Sequence, residues 1–264
     1  MKPPLHLDRR NAGASTLPLA CVHGWGMNLV VFDALRDALP DVESHALDLP
    51  GHGRSPWNPA RADFESQLEE VLAALPERCV LLGWSLGGQL AMQIARREPD
   101  RVAALVLVSS TPRFAQSADW LHGMDAGELA NFGRHVEQDW RQTLSDFTWL
   151  QLRGSRNAAS AQQRVEQALA THGAPHPEAL RANLGILATL DLRDQVDAIR
   201  QPALLIAGQN DRVTPPDATR WLAERMPDAR FALIPRAGHA SFISHTEEFV
   251  ALIRPFLAAN GVAS

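Results

Sequence analysis

Of 25 basic side chains, only Lys2 is a lysine; the rest are arginines. Codon bias accounts for such a skew. The functional alternative is forked recognition of carboxylate or phosphate, which clustering would have to support. Cysteine is scarce as well. Cys21 and Cys79 each border an apolar run that reads as a core strand. They are expected as buried free thiols in a reducing compartment, and they lack the companions of a zinc site. The N-terminal stretch "MKPPLHLDRRNAGAST" has no apolar segment of the secretory kind. No run approaches the ~18 apolar residues that would cross a membrane, so a cytoplasmic protein is expected. A net charge of −5 gives no general attraction to nucleic acid or anionic membrane. Internal repeats and low-complexity tracts are absent from the sequence too.

What is present is ordinary in amount. The 264 residues, 45% hydrophobic and 21% charged, suffice for a substantial core. Short apolar runs lie at 17–22, 43–49, 79–83, 102–110, 202–208 and 230–235. Several are continuously apolar, as strands covered on both faces are. Helical patterns fill 29–39, 63–75, 87–98, 216–226 and 246–258. This alternation predicts an α/β fold with an open, mostly parallel central sheet flanked by helices. Residues 112–186 break the rhythm, with no convincing strand and with Trp120, Trp140 and Trp149. They read as a helical cap inserted between core strands, over the sheet edge where ligands bind in such folds. The core is then 1–111 and 187–264.

The chemistry is concentrated in "GWSLGG", residues 83–88. A G-x-S-x-G match arises by chance roughly 0.06 times in a chain of this composition. Here it follows the strand-like "CVLLG" and precedes the helix-like "GGQLAMQIARREP". A strand–turn–helix elbow is the context a serine nucleophile needs. Gly83 and Gly87 make room for the turn, and Ser85 is expected at a strained positive φ. The alternative is a glycine-rich helix start that binds phosphate.

A serine hydroxyl needs a base. His239, in "RAGHASFI", follows a strand end, with small neighbours that permit close approach; His245 is the competitor. The base needs an orienting acid. Asp211, in "GQNDRVTP", also follows a strand end, and Asp217 is a weaker choice. Asp48, in "LDLPGHGRS", precedes the serine and reads equally as a turn carboxylate bonding nearby backbone. The order Ser85, Asp211, His239 is that of serine, acid and histidine in hydrolases built on such a sheet. The loop "VHGWGMN" supplies backbone donors, and the amides of Trp25 and Leu86 are assigned to the oxyanion hole.

Taken together, "HGWG", "DLPGHGRS", "GWSLGG", "GQNDRVTP" and "AGHASFISH" resemble the α/β-hydrolase superfamily over nearly the whole chain. A closer resemblance runs through "LGWSLGGQLA", "FTWLQ", "LATLDLR" and "HASFISHTEEF", to the biotin-pathway carboxylesterases of the pimeloyl-[acyl-carrier protein] methyl ester esterase family. That resemblance implies an α/β-hydrolase fold and a serine esterase; the triad chemistry itself needs no metal or organic cofactor, and a monomer is expected. Its substrate would be a pimeloyl methyl ester carried by acyl carrier protein. It also implies substrate contacts in the cap at Phe147, Thr148, Trp149, Leu150 and Gln151. Arg141, Arg153, Arg156 and Arg164, with Asp146 the only acid among residues 141–164, leave that window at +3. Such a patch could dock an acidic carrier. Adding Asp139 and Glu166 lowers it to +1, and a solvated helical face is the competing explanation. The rival functions are a generic carboxylesterase or lactonase, a C–C bond hydrolase with the same triad, and, in another class, a non-enzymatic ligand receptor.

Overall fold

The runs "LACV", "CVLLGW" and "ALLIAG" are buried at every residue and form the centre of one sheet. The structure, a computed structural model, describes residues 4–153, 155 and 158–262. Its strands are β1 (Leu7–Arg10), β2 (Leu19–Val22), β3 (Ser44–Leu47), β4 (Cys79–Trp84), β5 (Val102–Val108), β6 (Ala203–Gly208) and β7 (Ala229–Ile234). The helices are α1 (Asp33–Asp37), α2 (Phe64–Ala74), α3 (Leu86–Arg97), α4 (Ala126–Leu152), α5 (Ala158–His172), α6 (Pro177–Thr189), α7 (Pro216–Arg225), α8 (Ser241–Ser244) and α9 (Thr246–Ala259). The strand order is β1-β3-β2-β4-β5-β6-β7, parallel throughout except for β1. Parallel strands with helical crossovers bury both sheet faces, which is why their sequences are continuously apolar.

Two elements differ from the sequence reading. Strand β1, "LDRR", has no apolar run, because it is a half-exposed edge strand paired antiparallel with β3. Charge on such an edge discourages pairing with other chains. The helix expected over 29–39 is instead a 3-10 turn (Leu29–Phe32) followed by the short α1.

Helices α4, α5 and α6 lie between β5 and β6 in the chain. α4 is interrupted at Asp139 (φ −150°, ψ 87°), whose carboxylate accepts the amides of Arg141 and Gln142 and restarts the helix as an N-cap does. α6 begins with Pro177 and runs to Thr189, past the expected boundary at 186. Its buried Leu184, Ile186 and Leu187 keep helical spacing through that point, so no break falls there. Among the described residues no helix is long and apolar enough to cross a membrane. Cys21 and Cys79 are buried and unpaired, and burial pushes both thiols up to about 12.

Candidate active site

A single residue separates β4 from α3, and it is Ser85. Its backbone stands at φ 57°, ψ −117°, a conformation that costs of order 1–3 kcal/mol for a residue with a Cβ. The surroundings hold it there. Its amide donates to the Val108 carbonyl at 3.0 Å, and its carbonyl accepts from Gly88 at 2.9 Å. A Cβ on Gly83 would lie 2.5 Å from the Gly87 carbonyl oxygen, and one on Gly87 would overlap the Val22 carbonyl. The hydroxyl of Ser85 is thus presented on a sharp turn at the C-terminal end of the central strand, half-buried.

His239 is held at three points. Its Nδ1 is 2.8 Å from Oδ2 of Asp211. Its amide donates to the carbonyl of Gln151, in the last turn of α4, at 2.8 Å. Its carbonyl accepts the indole N–H of Trp84, next to the serine, at 3.1 Å. The Trp84 and His239 rings lie 5.6 Å apart, and Phe242 packs edge-on against Trp84 at 5.1 Å. Asp211 is equally fixed: its Oδ1 accepts the amides of Val213 and Thr214, at 2.8 and 2.9 Å. A carboxylate buried with those partners holds the imidazole with Nδ1–H inward and Nε2 free to accept a proton. In the structure the Ser85 hydroxyl donates no hydrogen bond to His239. The two competitors lie elsewhere. The side chain of Asp217 is 69% exposed beside Arg220, and His245 bonds Ser244 Oγ at the junction of α8 and α9.

The amides of Trp25 and Leu86 have no hydrogen-bond acceptor among the described residues. Leu86 is the first residue of α3, where helical amides are unpaired and the helix dipole is positive. Trp25 follows the end of β2, in the loop whose Gly24 abuts Ser85. Its indole donates to the Leu180 carbonyl at 2.9 Å, which pins the ring beneath α6. There Trp25, Phe132 and Phe147 form an aromatic cluster, with ring centroids 5.2–5.3 Å apart. With Phe114, Leu150 and Leu187 they line a wholly apolar cavity of about 40 Å³. That holds about one water molecule.

The five cap residues separate by direction. Phe147 and Leu150 line the apolar cavity. Thr148 bonds back to Leu144 of its own helix, and Trp149 is 43% exposed. Gln151 acts through its backbone, as the acceptor for His239. Of the four arginines, Arg141 stacks on the Trp140 ring at 4.3 Å, and Arg153 is exposed just beyond α4. Arg164, on α5, lines a polar groove with Arg236, His245, Glu247 and Glu248. Arg156 lies outside the described residues. No arginine lines the apolar cavity.

Of two further contributors, one escapes the sequence reading and one exceeds it. Trp84 is one; a buried indole always needs an acceptor, but the acceptor is 155 residues away. Asp48 is the other. Its carboxylate accepts the amides of Leu29 and Arg54, as its turn position implies, and also meets His172 at the end of α5.

Comparison with known proteins places these observations in context. Residues 18–246 match the family described as alpha/beta hydrolase fold. The chain is 40% identical to the pimeloyl-[acyl-carrier protein] methyl ester esterase of Nitrosomonas europaea, over 93% of this chain and 96% of that protein. It is 37% identical to the protein of the same name from Nitrosospira multiformis, over 90% and 93%. Among solved structures, an esterase from Exiguobacterium antarcticum superposes with a TM-score of 0.86 at 21% identity, covering 96% of this chain and 95% of the other.

Proposed function

The chain belongs to the alpha/beta hydrolase fold family and to its pimeloyl-[acyl-carrier protein] methyl ester esterase branch, and from that premise we propose that it hydrolyses the methyl ester of a pimeloyl chain borne by acyl carrier protein, releasing methanol. The observation that carries this reading is the fixation of His239 by Asp211, Trp84 and Gln151, in a loop tied directly to the residue preceding Ser85.

In this reading Ser85 is the nucleophile. Its side chain turns toward Nε2 of His239, which takes the proton as Oγ attacks the ester carbonyl; such hydrogen bonds tighten when substrate binds. Asp211 stabilises the imidazolium that forms. The amides of Trp25 and Leu86 receive the developing oxyanion. His239 then gives its proton to the departing methoxide. A water repeats the attack on the acyl-enzyme and frees the acid.

The inserted helices serve as a cap. Phe147 and Leu150 offer apolar surface to the acyl chain, and the aromatic cluster must part to admit it, since about 40 Å³ is far too small for a pimeloyl chain. The carrier docks on the outside of these helices, with Arg141, Arg153 and Arg164 as its cationic contacts. Such a partner implies a cytoplasmic enzyme.

Ser85→Ala tests the chemistry. The folded variant should lose at least about 10³-fold in turnover of pimeloyl-carrier methyl ester and of short p-nitrophenyl esters. Near-normal turnover would overturn the assignment. Rescue of a biotin auxotroph lacking this esterase by the wild-type gene, but not by Ser85→Ala, tests the substrate. Short-ester activity without rescue would leave a general esterase.

A further inference from the structure

Away from Ser85, three side chains from distant parts of the chain converge. We propose that His6, Asp48 and His172 form a binding site for one divalent transition-metal ion of the zinc class. Each residue offers one donor atom, and the three atoms lie within 4.8 Å of one another, the one such group among the described residues. Nε2 of His172 is 2.8 Å from Oδ2 of Asp48. The rings of His6 and His172 are 5.3 Å apart, tilted by 50°.

Two imidazoles and a carboxylate are a donor set that zinc accepts, with a fourth position left for water. Metal–ligand bonds of roughly 2.0–2.2 Å put tetrahedral donors about 3.4 Å apart. The widest separation must therefore close by up to about 1.4 Å, through a side-chain rotation of His6, which precedes the edge strand β1, and the 2.8 Å Asp48–His172 contact must open by about 0.6 Å as the ion replaces its proton. His6 is partly accessible, so an ion can enter from its side, while the side chain of His172 is 8% exposed.

The carboxylate is held in place. Asp48 is fully buried, and a Cβ on Gly53 would overlap it, so the loop grips it closely. Its Oδ1 accepts Leu29 N at 2.8 Å and its Oδ2 accepts Arg54 N at 2.9 Å. A carboxylate has about four lone-pair sites. The metal takes the one that faces His172, both backbone bonds persist, and the coordinating imidazoles bind as neutral rings. The ligands come from the segment before β1, the loop after β3 and the last turn of α5. A bound ion would pin the inserted helices to the sheet.

The test is calorimetric titration of tag-free, chelator-treated full-length protein with zinc chloride. One equivalent should bind and raise Tm. His6→Ala and His6→Gln both leave the Asp48–His172 contact in place. Each should fold, as judged by circular dichroism, and lose affinity by more than the about 10- to 100-fold typical of groups outside the ligand set. Absence of stoichiometric binding to the wild type would overturn the proposal, as would unchanged affinity in both folded variants. The Asp48–His172 contact would then be a plain hydrogen-bonded tie. Esterase activity plays no part in this readout, so its outcome is independent of the function proposed above.

Discussion

The indole N–H of Trp84 is bonded to the main-chain carbonyl of His239 at 3.1 Å, so the residue before the serine directly grips the residue expected to serve as its base. A change at one end of the site is therefore transmitted to the other without passing through substrate.

Trp84→Phe keeps an aromatic ring against Phe242 and removes the donor. The His239 carbonyl is left buried and unpaired, at a cost of about 1–3 kcal/mol. We expect kcat on a short ester to fall about tenfold or more while KM stays near the wild-type value. Steady-state kinetics with a parallel melting curve checks this; unchanged kcat in a destabilised variant would limit Trp84 to packing.

Gly238→Ala acts on the opposite grip. Its Cβ would lie 2.5 Å from the Gln151 carbonyl oxygen, the acceptor for the His239 amide. The loop must retreat from α4. We expect activity to drop more steeply than stability, measured as turnover against the urea midpoint on the same preparation.

Phe132→Ala opens the aromatic wall of the cavity. Activity on p-nitrophenyl hexanoate relative to acetate should rise several-fold. An unchanged ratio would place the acyl chain elsewhere.

Arg164→Glu reverses an exposed charge away from the apolar cavity. KM for carrier-bound ester should rise, and kinetics on a free short ester should stay within error. Equal effects on both substrates would argue against docking through α5.

Stability should decline as pH falls from 7 toward 4. Burial keeps His52 from protonating until about 3, against an ordinary value of 6.5, and lowers His23 in the same way. Between those limits the unfolded chain binds a proton at His52 that the folded chain refuses. Over that window His52 removes up to about 1.4 kcal/mol per pH unit, and His23 acts in the same direction. Urea unfolding at pH 7.0, 6.0 and 5.0 should show a shallower slope for His52→Leu, provided that variant folds.

The sequence conveys these features unevenly, for physical reasons. The elbow at Ser85 is legible because its glycines, strand and helix are neighbours in the chain and backbone crowding dictates each one. The strand end before Asp211 is legible because β6 is buried at every residue and continuously apolar, and the one before His239 because the half-exposed edge strand β7 still carries the apolar run "FALI". Strand β1 is not, since an exposed edge of "LDRR" carries no such mark. The Trp84–His239 and Asp48–His172 bonds are invisible too, because their partners are separated by 155 and 124 residues. The net charge of a linear window misleads in a different way. Arg141 and Arg164 are close in sequence but belong to separate helices, and Arg164 shares its groove with two glutamates from α9.

The bond from His239 N to Gln151 O makes the imidazole hang partly from the helix that, in the function proposed above, shifts to admit an acyl chain. A displacement of about one ångström breaks a hydrogen bond of that length. Molecules caught open are then slow for lack of a correctly hung base as well as for lack of a closed pocket. With the cap opening as proposed, the observed rate becomes the chemical rate multiplied by the fraction of molecules that are shut, so temperature and any ligand that clamps α4–α6 will act on turnover through that fraction.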